Sequence, residues 1–363
     1  MNVAIVCDWL TGVGGAERVV YELHKLYPDA PIYTSQYNPR KIDWFNSADI
    51  RTGWLNKLPS ALKKFLPLLR ALYFSRLDLN NYDLVISSAG AEAKGVKTKS
   101  STIHVSYIHS PTHYYWIRFE EYMKSPGFGF FDPLARLGLK LLVKPMKRWD
   151  YKAAQRPDYI IANSNYTKNN IQKYYNREAI VIHPPVEIER FSHIPSGQQR
   201  SGFVVAGRQT PYKKIDLAVQ ACTEMNQHLT VIGDGPDHKK LVAMAGKSIN
   251  FQTKVTDDEM ASYFASTEAF IFPNTDDFGI VAVEAMAAGT PVIAYKAGGA
   301  LDYVIPGKTG EFFDEQSAGS LKATLKTFNG KDYDSAVIQK QAAMFSSDIF
   351  RGKLQQFMQK NSK

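Results

Sequence analysis

The sequence predicts an α/β protein built as two doubly wound domains, each around a parallel sheet. Three observations predict it. In the first half, short apolar runs at Val3–Cys7, Asp83–Ile86, Ile103–Ile108 and Tyr159–Ala162 alternate with amphipathic segments. The alternation restarts later, with runs at Gly202–Gly207, Leu229–Ile232, Ala269–Phe272 and Pro291–Ala294. Between the two series lies His183–Ser201, where Pro184, Pro185, Pro195, Ser196 and Gly197 mark a linker.

Each element has a local reason. The opening residues, MNVAIVCDWL, hold no Lys or Arg ahead of the apolar run, and no small-residue cleavage pattern follows. They read as a first strand and not as a secretory leader. Ala16, Val19, Val20, Leu23 and Leu26 then recur at helical spacing. In the second half, Ile215–Met225 is the helix after the first strand, and Leu229–Ile232 runs into Gly233-Asp234-Gly235-Pro236. A last amphipathic helix is expected over roughly Ala336–Gln359. The resulting division is 1–190 for an N-terminal domain and 200–345 for a second one. Residues 346–363 form a C-terminal helix that packs back on the first domain. Ligands of such sheets bind outside the carboxyl ends of the strands, here in the cleft between domains.

Composition removes several classes. The 363 residues suffice for two domains, and 44% apolar content excludes a disordered chain. Cys7 and Cys222 are far apart in apolar stretches, and the eight histidines do not cluster. No disulfide framework and no metal site is expected, and a reducing cytoplasm fits best. About 18 consecutive apolar residues, the length of a membrane span, occur nowhere.

The net charge of +9 asks for a polyanionic partner. It is concentrated in two runs of the first half. In one, Lys57, Lys63, Lys64, Arg70 and Arg76 interleave with Leu62, Phe65, Leu66, Leu69 and Leu72. In the other, Arg136, Lys140, Lys144, Lys147, Arg148 and Lys152 stand among Leu134, Leu137, Leu141, Leu142 and Val143. Both read as basic amphipathic helices lying on an anionic membrane. Nucleic acid is not expected, because stacking platforms and module signatures are missing.

The candidate site residues sit at strand ends. Gly14 and Gly15 open a helix after the first strand and let backbone N–H groups approach a phosphate. His109 follows the strand Ile103–Ile108. Gly207 and Arg208 end the first strand of the second domain, and Lys213 follows. An Arg and a Lys at such a mouth can neutralise a diphosphate. Asp234 closes the next strand. In DDFGIVAVEA, Asp276 can accept sugar hydroxyl hydrogen bonds. Phe278, Gly279 and Ile280 offer backbone N–H groups at a helix start. Glu284 can accept from a ribose diol, and its apolar neighbours demand a partner for it. Gly298-Gly299 opens a further helix, either beside a phosphate or as plain loop chemistry.

These residues, in this order, resemble glycosyltransferase family four over essentially the whole chain. Asp276 to Glu284 matches the family's E-x7-E motif, and Gly207-Arg208 with Lys213 matches its diphosphate clamp. Gly14-Gly15 matches its N-terminal glycine loop. Ile108-His109-Ser110-Pro111-Thr112 looks like the His-Thr-Pro segment of bacterial mannosyltransferase-like members of polysaccharide and O-antigen pathways. Asn163–Tyr166 and Val231–Pro236 match as well. The resemblance implies a GT-B fold, two Rossmann-like domains facing across a cleft, and retaining transfer without a metal or other cofactor. It implies that Arg208 and Lys213 hold the donor diphosphate, and that Glu284 binds the ribose. It also implies that Asp276 with the amides of Phe278 to Ile280 holds the sugar, and that His109 contacts the sugar near the reacting centre.

The expected function is transfer of a hexose, mannose first, from a nucleotide-sugar donor to a lipid-linked saccharide acceptor in cell-surface glycan synthesis. GDP-mannose is the favoured donor, with a UDP-sugar as the alternative. The protein is expected in the cytoplasm, peripheral to the inner face of the membrane. Rival readings are a sugar-nucleotide epimerase of the same fold and a non-catalytic nucleotide-sugar or glycan-binding module. No pair of carboxylates suggests a glycosidase-like double displacement, so departure and attack on one face of the sugar are expected. One departure from the family stands out. The first motif glutamate is Asp276 here, one methylene shorter, so choice of sugar turns on that residue.

Overall fold

The structure, a computed structural model, describes residues 1–58, 66–124, 129, 132–192 and 200–361. Leu62, Lys63, Lys64, Phe65, Pro195, Ser196 and Gly197 of the runs named above lie outside the described residues. The chain divides into two compact units, Met1–Pro184 with Phe350–Lys363, and Pro185–Ile349.

The first unit contains β1 (Val3–Cys7), β2 (Ile32–Thr34), β3 (Ile50–Thr52), β4 (Leu84–Ala89), β5 (Ile103–Ile108), β6 (Tyr159–Ala162) and β7 (Ile180–Val181). Among the described residues they form one sheet in the order β3-β2-β1-β4-β5-β6-β7, and each adjacent pair of strands is parallel. Every residue of β4 is buried, as its continuous apolar start anticipates for a strand covered on both faces. The helix Gly15–Leu26 places Val19, Val20 and Leu23 on the sheet face that holds Ile5, Cys7 and Ile86. Phe350, Leu354 and Met358 of the final helix enter the same core. Each such burial contributes about 1.5–3 kcal/mol.

The second unit contains β8 (Phe203–Ala206), β9 (Leu229–Ile232), β10 (Ile249–Gln252), β11 (Ala269–Phe272), β12 (Val292–Tyr295) and β13 (Gly310–Phe313). Among the described residues the order is β10-β9-β8-β11-β12-β13, again with parallel pairs. Both sheets are therefore doubly wound. Strand order reverses between β1 and β4 in the first unit, and between β8 and β11 in the second. Those reversals are where the connecting chains leave an opening at the carboxyl ends.

One element differs from the expectation. The amphipathic stretch Ala336–Gln359 is two helices, Ser335–Ala343 and Ser347–Asn361. The backbone between them is used elsewhere. The Val186 N–H donates to the Phe345 carbonyl at 2.9 Å, and the Phe345 ring packs on Phe278. Among the described residues, no helix is long and apolar enough to cross a membrane.

Candidate functional site

In the second unit, the loops at the carboxyl ends of β8 and β9 meet backbone to backbone. Gly233 has φ of 118°, and a Cβ there would lie 2.3 Å from the Gly207 carbonyl oxygen. Gln209, fully buried, ties the two loops together. Its Nε2 donates to the Gly233 carbonyl at 2.6 Å, and its Oε1 accepts from His238 Nδ1 at 2.8 Å. Neither Gln209 nor His238 was singled out from the sequence, since a lone Gln after Gly-Arg carries no motif. Asp234 is exposed, and its carboxylate accepts the Gly235 N–H at 2.7 Å. Its observed part is to shape the turn.

At the reversal between β8 and β11, Lys213 and Asp276 meet. The Lys213 ammonium forms an ion pair with the Asp276 carboxylate, and each side chain is 17% exposed. Lys213 ends the short turn Pro211–Lys213, and Asp276 lies in the loop after β11. Arg208 stands exposed one residue beyond Gly207 at the same sheet end. The Asp276 loop is shaped by glycines. The Gly299 N–H donates to the Asp276 carbonyl at 2.9 Å, and a Cβ on Gly299 would lie 2.3 Å from Phe278 Cα. Gly298-Gly299 is thus accounted for by packing beneath this loop, and it leads into a short turn, Gly298–Asp302.

Gly279 has φ of 91°, and a Cβ there would lie 2.5 Å from the Phe272 ring. It caps the helix Ile280–Ala287, whose first N–H groups and dipole face the loop. Phe278 is buried, with its ring 5.5 Å from those of Tyr303 and Phe345, so only its backbone can serve a ligand. Glu284 lies in the second turn of that helix and is half-buried between buried Val283 and Ala285. Only the part of the motif from Ile280 onward is helical.

In the first unit, a cavity of about 80 Å³ opens at the reversal between β1 and β4, lined by residues that include Asp8, Trp9, Glu17, Ser88, Gly90 and His109. Register brings them together, since Cys7 pairs with Ser88 and Ala89 with Ile108. His109 is half-buried, and its Nε2 lies 2.8 Å from Ser88 Oγ. Gly15 opens the helix beside the cavity, and Gly14 precedes it with extended backbone. The space a Cβ on Gly14 would fill holds a Glu17 carboxylate oxygen.

Asp8 was not anticipated. It is buried, and its carboxylate accepts the N–H groups of Gly90, Ala91 and Ala93 at 2.7, 2.9 and 2.7 Å. Burial pushes its carboxyl upward, and those N–H groups and Lys94 pull it back. An acid directly after an apolar first strand was the available signal. Two ion pairs support the same loop. Arg70 meets Glu92 at 2.7 Å and Lys94 meets Asp150 at 2.6 Å, all four side chains being essentially inaccessible. Burial pushes the Glu92 carboxyl upward, opposed by Arg70.

Residues 13–190 match the family model described as Glycosyltransferase Family 4, and residues 186–343 match the one described as Glycosyl transferases group 1. The chain belongs to this glycosyltransferase family. It is 31% identical over 178 residues to an uncharacterized glycosyltransferase of Methanocaldococcus jannaschii, covering 48% of this chain and 50% of that one. It is 27% identical over 198 residues to the GDP-mannose-dependent alpha-(1-6)-phosphatidylinositol monomannoside mannosyltransferase of Mycolicibacterium smegmatis, covering 46% and 52%. The chain spans about half the length of the curated relatives it matches. Among solved structures, sucrose-phosphate synthase of Thermosynechococcus elongatus superimposes with a TM-score of 0.74 at 16% identity, over 99% of each chain. HepE of Anabaena in complex with UDP gives 0.71 at 17%, over 99% of this chain and 100% of that one. Two parallel-sheet units with these neighbours are the GT-B fold.

The two basic runs of this glycosyltransferase fare differently. Arg70 does not face a membrane, because it is buried on Glu92 with its guanidinium 4.9 Å from the Trp9 ring centroid. Leu66 is buried too, while Lys57, Arg76, Leu69 and Leu72 are exposed. On the long helix Asp132–Ala154, Met146, Asp150, Ala153 and Ala154 face inward. Leu134, Leu137, Leu141 and Leu142 are exposed, as are Arg136, Lys140, Lys144, Arg148 and Lys152.

Proposed function

We propose that this chain is a retaining, metal-independent glycosyltransferase that moves a hexose, with mannose first, from a nucleoside diphosphate donor to a lipid-linked saccharide in cell-surface glycan synthesis. The observation that carries the reading is the meeting of Lys213 and Asp276 at the β8–β11 reversal. A cation suited to a diphosphate and an acid suited to sugar hydroxyls stand side by side at the end of a doubly wound sheet. Relatives named as GDP-mannose-dependent support GDP-mannose as donor, and HepE bound to UDP supports a UDP-sugar as the alternative.

In this reading Arg208 and Lys213 hold the diphosphate and stabilise charge as it leaves. Glu284 takes the ribose diol. Asp276 and the amides of Phe278, Gly279 and Ile280 hold the sugar, and His109 contacts it near the reacting centre. Gly14 and Gly15 offer amides to phosphate. The bond from the anomeric carbon to the diphosphate oxygen breaks, and the bond to the acceptor oxygen forms on the same face. The acceptor proton passes to the departing diphosphate oxygen. The ion pair with Lys213 fixes the direction of the shorter Asp276 side chain, which sets the hydroxyls it can reach.

The exposed leucines and cations of Asp132–Ala154 support attachment to an anionic membrane surface, where a lipid-linked acceptor resides. The site of action is then the cytoplasmic face of the membrane.

The test is transfer from a panel of nucleotide sugars to lipid-linked acceptors in liposomes. Arg208→Ala and Lys213→Ala should each lower turnover by about 10²–10³. Near-wild-type rates in both variants sink the clamp. Product formed from donor alone, with the sugar nucleotide merely epimerised, would favour the epimerase reading. The protein should also sediment with anionic liposomes and not with neutral ones, less so as salt rises. No sedimentation at low salt refutes the membrane reading and leaves the transferase reading standing.

A further inference from the structure

We infer that Ser88 is a positioning residue for His109, its hydroxyl holding Nε2 and so setting the plane in which the imidazole meets the transferred sugar. The inference rests on the role given to His109 above.

Strand geometry brings the pair together. Ser88 is the next-to-last residue of β4 and stands in register with Tyr107 of β5. His109 lies two residues beyond Tyr107, and the period-two alternation of an extended chain returns its side chain to the same side. There Ser88 Oγ is 2.8 Å from His109 Nε2. The rest of the residue is fixed by other partners. The His109 N–H donates to the Ala89 carbonyl at 2.9 Å, and Thr167 Oγ1 donates to the His109 carbonyl at 3.3 Å. The Tyr107 ring lies 5.2 Å from the imidazole at 60°. Those contacts hold backbone and ring position, and the bond from Ser88 governs rotation of the ring about its own axis. A serine hydroxyl can donate to an imidazole nitrogen or accept from its N–H, so Ser88 supports either protonation state.

The neighbouring residue shows what such a pair does without a cavity. Ser87 faces the other side of β4, where its Oγ lies 2.9 Å from His104 Nε2 and 2.9 Å from Ser106 Oγ. His104 is fully buried and does not line the cavity, whereas Ser88 and His109 both do. Adjacent serines thus hold two histidines by the same chemistry, one for the core and one at the carboxyl end of the sheet. A reactive side chain held on strands by a second residue keeps its geometry better than one on a loop. Threonine at 88 would keep the hydroxyl on a residue suited to a strand, with the adjoining cavity open to its methyl group.

The experiment compares the full chain with Ser88→Ala, Ser88→Thr, Ser87→Ala and His109→Ala, by transfer kinetics and by ¹⁵N spectra of the histidine side chains. In Ser88→Ala, kcat should fall about tenfold with donor KM within about twofold, because orientation and not uniform binding is lost. Ser88→Thr should restore most of that loss. The His109 Nε2 resonance should report a hydrogen bond in the wild type, lose it in Ser88→Ala and regain it in Ser88→Thr. Ser87→Ala should lower thermal stability and leave kcat and the His109 resonances in place. Wild-type kcat in Ser88→Ala, or a threonine variant no better than alanine, overturns the inference. So does a wild-type Nε2 resonance without a hydrogen bond, whatever the variants do. His109→Ala at wild-type rate would instead overturn the role of His109 itself. An inactive His109→Ala beside a fully active Ser88→Ala overturns only the part played by Ser88.

Discussion

The two units shape the ends of similar parallel sheets by different means. In the second unit, backbone lies against backbone. Gly233 and Gly299 each leave room for a chain segment that a Cβ would meet at 2.3 Å. At its candidate site Lys213 pairs with Asp276, and both ends retain some exposure. In the first unit, buried charge does the same task. Asp150 is wholly buried and accepts from Lys94, Thr112, Trp116 and Tyr175 at once. That single carboxylate ties the turn at Lys94, the segment after His109 and two helices together. A glycine contact leaves polar side chains at a site available to a ligand. A buried charged hub fixes a platform, because removing one partner leaves a charge with no water to receive it.

The largest expected effect comes from comparing the two pairs. Asp150→Asn should destabilise the protein by about 3–5 kcal/mol, since it leaves Lys94 buried without its counter-charge. Asp276→Asn should cost at most about 1 kcal/mol, because its pair is partly solvated. Urea denaturation of both variants measures the contrast. A loss below about 1 kcal/mol in Asp150→Asn would break the comparison, because buried charge would then not hold the first unit together. A loss in Asp276→Asn as large as in Asp150→Asn would break it from the other side.

The same contrast explains how much could be read from the sequence. The second unit was legible because its site residues fall in two short motifs, Gly207–Lys213 and Asp276–Glu284, and its glycines advertise close backbone approach. The strands β8, β9, β11 and β12 were anticipated for a related reason, being short apolar runs bounded by turn residues. The first unit was less legible. Arg70 pairs with Glu92, and Lys94 with Asp150, at sequence separations of 22 and 56, and neither lies in a motif that announces the pair. Arg70 therefore read as one more cation on an amphipathic face, although it is buried. Asp8 was passed over because its partners are backbone N–H groups of Gly90, Ala91 and Ala93. β2, β3, β7, β10 and β13 were not anticipated either. β2, β3 and β7 have only two or three residues, and β10 and β13 are interrupted by polar residues, so pairing with a neighbour and not their own pattern makes them strands.

A smaller effect sharpens the account of the first unit through pH. His104 lies fully buried between β4 and β6, bonded to Ser87. Burial, with Arg156 and Arg177 nearby, pushes its pKa down from 6.5 to about 3. The folded state therefore keeps a neutral ring where the unfolded chain takes up a proton. Stability from this residue is fully present above pH 6.5 and is lost as pH falls toward about 3. Each pH unit inside that window costs about 1.4 kcal/mol, so moving from pH 6.5 to about 5 should cost about 2 kcal/mol. His104→Gln should be less stable at neutral pH, yet should lose less on acidification than the wild type does. Denaturant midpoints at several pH values for both proteins isolate that difference, since every other titrating group is common to the two. Equal acid slopes would mean that His104 takes up its proton in the folded state, and that the polar interior of the first unit admits a charge more readily than its burial implies.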